Sequence, residues 1–435
     1  MDKVKQKDSE KIFSDGAITP VPTSLPLMEA SNILSRGAHL DWQTDPDGRL
    51  SYSPDFGSHG EGAIHFWVTQ ETSLPPGEKP TGLATAAALA VINSFDIRAA
   101  CMHLVYAAYA SQNASHGENL WDQDIVIDDR QLEKYLGLQK RTDLNRQQKL
   151  SLIRDLVEQP CKITTFVSLK STNKQKGFTI SEGRLWHLVE TRYHYQQELL
   201  NEKGQLEGLT FVVRPGSWAQ HYLSDEKKSS ANISKHLLEK VMGIWQHREG
   251  AARLMLWLIF QSERPMYRVE HLMEIAYGKQ RLDDARRDRK IRSRISNAWD
   301  EDLLFLHDQN WSLTFDDLTY PIDLRPLGFG RTSNRRQAGF FDSLLNAELS
   351  ISPPPEWSSP QLPTSDSSSS GHSEIELSTL LSPEDIKDQR SSRGWSQRYL
   401  ATLTGISQSR ISRIESGKPI TNEENSIIAK AFDFM

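Results

Sequence analysis

Apolar residues recur at helical spacing over most of residues 86–345 and again beyond residue 381. The stretches outside these blocks are polar and broken by proline and glycine. In the first block the alanine-rich run from Asp96 to Ser111 predicts a helix. Ile125, Val126 and Ile127 predict a short strand, and DDRQLEKYLGL predicts a capped helix ending near Gly137. A longer helix is expected from Arg146 to Glu158, stopped by Pro160. ITTFVSL (Ile163 to Leu169), the polar tip STNKQKG and RLWHLVETRYHY (Arg184 to Tyr195) then predict two strands joined as a hairpin.

A second round repeats this order. Helical spacing from Ser234 to Trp245 and from Ala251 to Gln261 is followed by a short helix, RVEHLMEIAYG, and a long one from Asp283 to about Asp302. LLFLHDQNWSLTF (Leu303 to Phe315) predicts a strand, a turn and a strand. Between the rounds, LEGLTFVVRPG predicts one more strand, leading into a connecting helix at SWAQHYL. Helix, strand, helix, helix, hairpin is the order of a winged helix. The expected class is therefore mainly α: two α+β winged-helix domains at 86–205 and 206–345, plus a small all-α bundle at 381–435. Residues 1–85 have few periodic runs apart from AIHFWVTQ and are expected to be a mostly disordered arm. ISPPPEWSSPQLPTSDSSSSGHSE marks a Pro/Ser-rich linker, placed at 346–380.

Several modules suit the length, since 435 residues exceed a single core at about 150 residues per domain. No uninterrupted apolar run of about 18 residues occurs, which excludes a membrane span. The charged start lacks an apolar core and does not read as a secretory signal, so a cytoplasmic protein is expected. Cys101 and Cys161 are the only cysteines, too few for a disulfide framework or a cysteine-rich zinc site.

The net charge of -6 hides three basic islands. Arg130 to Lys176 carries eleven Lys/Arg against four Asp/Glu, Lys279 to Arg294 eight against three, and Lys387 to Lys418 seven against two. Separate modules that each neutralise phosphate would give this distribution, and so would ordinary solvated helix faces. In ARRDRKIRSRISNAW the apolar Ile291, Ile295 and Trp299 define a core side, leaving Arg286, Arg287, Lys290 and Arg294 for DNA contact. The corresponding first-round helix carries Arg146, Lys149 and Arg154, and its hairpin tip Lys170, Lys174 and Lys176.

The last segment is the most specific. Ser382, Pro383, Glu384 and Asp385 supply an N-cap, a first-turn proline and two carboxylates at the positive helix end. Ser396 caps a second helix with Tyr399, Leu400 and Leu403 on one side, and Gly405 permits a sharp turn. Ser407 caps a third, on which Ile411 and Ile414 face inward while Gln408, Ser409, Ser412 and Arg413 point outward. A fourth helix is expected from Asn422 to Phe432. Two short helices around a glycine turn, with amide and hydroxyl groups opening the second, are the geometry of a major-groove reader.

WSQRYLATLTGISQSRISRIESGK resembles the phage-repressor and Cro type helix-turn-helix of the Xre family, over about 50 of the 435 residues. The resemblance implies that Gln397 anchors to phosphate and that Gln408, Ser409 and Arg413 face base edges. It also places Arg410 and Ser412 on the DNA-binding helix, with Ser416 and Lys418 holding the backbone beyond it. The chain offers four helices where that family commonly has five, which weighs against self-association through this module. The central order resembles the two-winged-helix initiators of plasmid replication.

Enzyme motifs are missing. No Walker A sequence, GxSxG, HExxH or His-x-His occurs, and the paired acids Asp128-Asp129 and Asp316-Asp317 read as a helix cap and a turn. Neither catalytic residues, a cofactor nor a metal are expected. The expected function is a bacterial sequence-specific DNA-binding protein that starts plasmid replication. The alternative is a repressor-type transcriptional regulator with a central ligand- or partner-binding block. Expected partners are double-stranded DNA, a second copy of the chain, and host replication or transcription machinery.

Overall fold

The computed structural model describes residues 13, 18–45, 48–54, 62–72, 83–114, 123–170, 178–196, 204–222, 230–261, 265–333, 336–337, 339–354 and 357. In the C-terminal segment it describes 383–392, 397–404, 406, 408–415, 418 and 428. Contacts divide the chain into two compact units, Met1–Gln361 and Leu362–Met435.

The larger unit opens with β1 (Ile18–Pro22), α1 (Leu25–Arg36), β2 (Gln43–Thr44), β3 (Leu50–Tyr52), β4 (Gly62–Val68) and α2 (Thr85–Ser94). Then come α3 (Ile97–Ala114), β5 (Ile125–Asp128), α4 (Asp129–Tyr135), α5 (Arg146–Cys161), β6 (Ile163–Lys170), β7 (Phe178–Arg184), β8 (Trp186–Gln196), β9 (Gln205–Pro215) and α6 (Ala219–Tyr222). The unit closes with β10 (Ser230–Ser234), α7 (Lys235–Ile244), α8 (Glu249–Leu258), β11 (Tyr267–Arg268), α9 (Val269–Tyr277), α10 (Lys279–Arg287), α11 (Arg289–Asp308), β12 (Ser312–Phe315), α12 (Phe340–Asn346) and β13 (Glu348–Ser352).

Two of its sheets follow one plan. After α3, strand β5 pairs with β9, and β9 pairs on its other edge with β8; α4 and α5 lie between in sequence. After α8, strand β11 pairs with β13, and β13 pairs on its other edge with β12; α9, α10 and α11 lie between. All these pairings are antiparallel. The same in-sheet order therefore occurs twice, the first strand beside the last and the last beside the one before it, although β6 and β7 are inserted between α5 and β8 and α12 between β12 and β13. Capping boxes start α4 (Asp128 with Gln131) and α5 (Asn145 with Gln148), each satisfying two otherwise orphaned backbone donors.

The architecture is mixed α/β with several small antiparallel sheets, richer in strand than the mainly α expectation. The largest sheet, in the order β2-β3-β4-β6-β7, draws three strands from residues expected to be a disordered arm. That expectation is corrected for the described part of 1–85: β1 pairs with β10, and α1 is buried along most of its length. Composition misled because α1 buries Glu29, Ser31, Asn32 and Ser35. Asn32 Nδ2 and the Tyr52 hydroxyl both donate to Glu29 Oε2, at 3.3 and 3.1 Å, so these polar groups are matched inside.

The first hairpin pairs differently from expectation. β6 pairs with β7, which ends at Arg184, and β8 starts two residues later in another sheet beside β9. Arg184 is fully buried and donates to the Cys161 carbonyl (2.9 Å) and Thr69 Oγ1 (3.2 Å), which pins the chain where it changes sheets. LEGLTFVVRPG thus closes the first round rather than bridging two. α5 continues through Pro160 to Cys161.

In the second round LLFLHD is the end of α11 and not a strand. Leu303 and Leu306 extend the buried stripe of Ile295 and Trp299, and Asn310, at φ 63°, turns the chain into β12. The partner of β12 is β13, built from residues assigned to the linker, since Leu349 and Ile351 alternate inward. The expected single helix from Asp283 breaks at Asp288, whose extended backbone lets its carboxylate accept from the Lys290 and Ile291 amides and cap α11. Apart from Asn346, Ala347, β13, its two following prolines and Trp357, the linker lies outside the described residues.

The C-terminal unit contains α13 (Pro383–Ser392), α14 (Gln397–Thr404) and α15 (Gln408–Glu415). Ile386, Leu400, Ile411, Ile414 and Ile428 form its core, with Ala401 and Ile406 packed against it. Of the expected fourth helix, Ile428 alone is among the described residues, and the capping Ser382, Ser396 and Ser407 lie outside them. Among the described residues no single helix is long and apolar enough to cross a membrane.

Candidate nucleic-acid interfaces

The apolar positions of α15 fix which side it shows. Ile411 and Ile414 are buried, and with about 100° between successive residues Arg413 falls on the far side and Gln408 on the flank at the helix start, both exposed. Arg410 and Ser412 are half-buried. Ser409 is in the helix, but its side chain lies outside the described residues, as does all of Ser416. Lys418 is exposed, and its amide donates to the Arg413 carbonyl at 3.0 Å, which holds it close behind the helix. α15 thus presents an amide and a guanidinium outward, groups able to fork onto adenine and guanine edges respectively.

Glu415 joins the three helices. Its carboxylate accepts Arg390 Nε (2.6 Å) and Nη2 (3.0 Å) from α13, and Gln397 Nε2 (2.9 Å) from α14. Burial works against the Glu415 charge, but the hydrogen bonds from Arg390 and Gln397 outweigh it and hold the carboxyl below the usual carboxylate range. An amide proton of Gln397, expected to meet phosphate, is therefore spent on the bundle. The sequence shows a glutamine at a helix start but not the desolvated carboxylate that needs its donor.

In the larger unit α11 offers a second basic face. Ile295, Trp299, Leu303 and Leu306 are buried, and the indole of Trp299 donates to the Tyr320 hydroxyl at 3.2 Å. On the far side Lys290, Ser293, Arg294 and Asn297 are exposed, as are Arg289 at the helix start and Arg287 at the end of α10. No other side chain among the described residues pairs with Arg287, Arg289, Lys290 or Arg294. Arg286 differs: it pairs with Glu270 and, at 2.8 Å, with Asp283. Arg292 donates to the Ala285 and Arg286 carbonyls and so closes the C-terminus of α10. Of the four residues expected to contact DNA here, three are unpaired and one is tied to neighbouring acids. Ser293 and Asn297, which were not among the expected contact residues, are exposed beside these cations.

The corresponding helix of the first round is neutralised. Arg146 pairs with Asp129 and Glu133, Lys149 pairs with Glu133 at 2.8 Å, and Arg154 lies 3.8 Å from Asp155. Of the expected tip lysines, Lys174 and Lys176 lie outside the described residues.

Comparison with known families matches residues 386–434 to the helix-turn-helix family, a sequence-specific DNA-binding module. The match covers α14 and α15 and the core residues between Ile386 and Ile428. No curated protein and no solved structure gives a significant match to the chain.

Proposed function

We propose that this chain is a two-reader DNA-binding protein that starts plasmid replication. In this reading the second round of the larger unit is a winged helix that lays α11 against origin DNA, and the C-terminal helix-turn-helix grips another site through α15. The carrying observation is the unpaired cationic face of α11, in a round where β11 precedes helices α9 to α11 and pairs with β13, which pairs on its other edge with β12. Cations left unpaired on a rigid helix release counterions when they meet phosphate, the sequence-independent part of DNA affinity. Two readers on one chain make the second contact intramolecular, which raises avidity without new contacts.

The first round has the same strand order, but its helix face is consumed internally, so this reading gives it an assembly or positioning role. That neutralised face also favours a second reading, a repressor-type regulator whose central block binds a ligand or partner.

The test is to clone the gene with its flanking DNA into a circle that cannot replicate in the host. Recovery of replicating circles with the intact chain, and loss with Arg287→Ala and Lys290→Ala together, is the expected result. No recovery, with repression of a reporter on the gene's own promoter, would replace the initiator with the regulator.

A further inference from the structure

We infer that Asn297, with Ser293 beside it, reads a base pair in the major groove, and that adenine is the base Asn297 selects. This rests on the reading that α11 lies on DNA, and it assigns the sequence-reading group within that helix. Lys290, Ser293, Arg294 and Asn297 stand at i, i+3, i+4 and i+7, a stripe about 100° wide opposite the buried Trp299. All four are exposed, and neither the Ser293 hydroxyl nor the Asn297 amide bonds any described residue.

Cations alone position a protein on the duplex but carry little sequence information, which comes from groups that match base edges. A carboxamide can donate to adenine N7 and accept from N6 at once, and a serine hydroxyl serves either kind of edge. The short Asn297 side chain stands on a helix fixed by four buried anchors, Ile295, Trp299, Leu303 and Leu306, so its reach is limited and its placement reproducible. One turn further on, exposed Glu301 pairs with Arg248 at 2.6 Å. An acid there would repel phosphate, which places the end of the contact just beyond Asn297.

The equivalent helix shows the contrast. On α5 the Gln147 amide donates to the Leu206 carbonyl at 2.6 Å, and Gln148 serves in the N-terminal capping box. Those amides are engaged by the fold, whereas the Asn297 amide is not.

The experiment uses the full chain. Duplexes bound by the wild type are selected from a random pool, and each position of the selected site is then replaced in turn. Binding of the wild type, Asn297→Ala and Lys290→Ala is measured at several salt concentrations. Asn297→Ala is expected to abolish a preference of about ten- to hundredfold for A·T at one position while leaving the salt slope unchanged. Lys290→Ala should keep that preference and lower the slope by about one. Retention of every base preference by Asn297→Ala, with the Lys290→Ala slope reduced, overturns the assignment but leaves α11 on DNA. If neither variant alters preference or slope, α11 is not on DNA and the underlying reading fails with it.

Discussion

Arg390 and Glu415 meet as a two-point fork between the first and third helices of the C-terminal unit, with Nε to Oε1 at 2.6 Å and Nη2 to Oε2 at 3.0 Å. Their side chains are 14% and 4% exposed, so removing one partner strands a charge that water cannot reach freely. Arg390→Ala should destabilise this unit by about 3 kcal/mol. Arg390→Lys should recover only part, because an ammonium cannot form the parallel pair. Thermal unfolding of the full chain, followed by a probe confined to the C-terminal unit, measures both.

The same carboxylate sets an acid limit. Its folded pKa lies below the unfolded value of about 4.3, so the unfolded state binds the proton more readily. The Glu415 contribution is therefore complete above that value and is lost as pH falls through the folded one. Glu415→Gln should flatten the acid limb of stability against pH for this unit. An unchanged limb would mean that other groups govern it.

Asp302 in the larger unit works in the opposite direction. Burial pushes its carboxyl up to about 6, against the pull of the Tyr277 hydroxyl, which donates to Oδ2 at 2.6 Å, and of Arg248. The folded state then holds a proton that the unfolded chain, with a value of about 3.9, releases. This contribution is largest below about pH 4 and is lost as pH rises through about 6. Asp302→Asn should flatten stability across that window, measured as melting temperature of variant against wild type at each pH.

Gly250 explains why Asp302 and Tyr277 lie so close to α8. A methyl group at Gly250 would collide with Asp302 Oδ2 and the Tyr277 ring, both buried. Gly250→Ala should cost about 3 kcal/mol despite the better helix propensity of alanine, because the collision exceeds that gain. Denaturant unfolding gives the value, and a stabilised variant would contradict the packing.

Much of this was legible wherever a local rule decided the outcome. The capped helix expected at DDRQLEKYLGL is α4, opened by Asp128, and Ile411 and Ile414 orient α15 from spacing alone. The misreadings came from long-range choices. RLWHLV looks like one strand, but buried Arg184 ends β7 and Trp186 begins β8 in another sheet. LLFLHD has equal claims as strand or helix until Trp299 extends its stripe onto Leu303 and Leu306. α1 was invisible because its buried Glu29 is matched by Tyr52, a partner 23 residues away. At the candidate interfaces, the basic residues were evident from the sequence. Which of them were already spent on acids, as Arg286 is on Glu270, depended on contacts no spacing reveals.

Substitutions at Gln397 and Arg413 test whether structural and DNA-contacting roles are separate within the helix-turn-helix. The Gln397 amide donates to Glu415 at 2.9 Å, so Gln397→Ala leaves that carboxylate with one donor fewer and should cost about 1–2 kcal/mol of unit stability. Arg413 is exposed, so Arg413→Ala should leave the melting temperature unchanged. On DNA the order reverses. Arg413→Ala should lose about 1–3 kcal/mol of discrimination at one base position, and Gln397→Ala should keep every base preference once its fold is secured at low temperature. A loss of base preference from Gln397→Ala with unchanged stability would instead place its amide at the DNA and require Glu415 to be held by Arg390 alone.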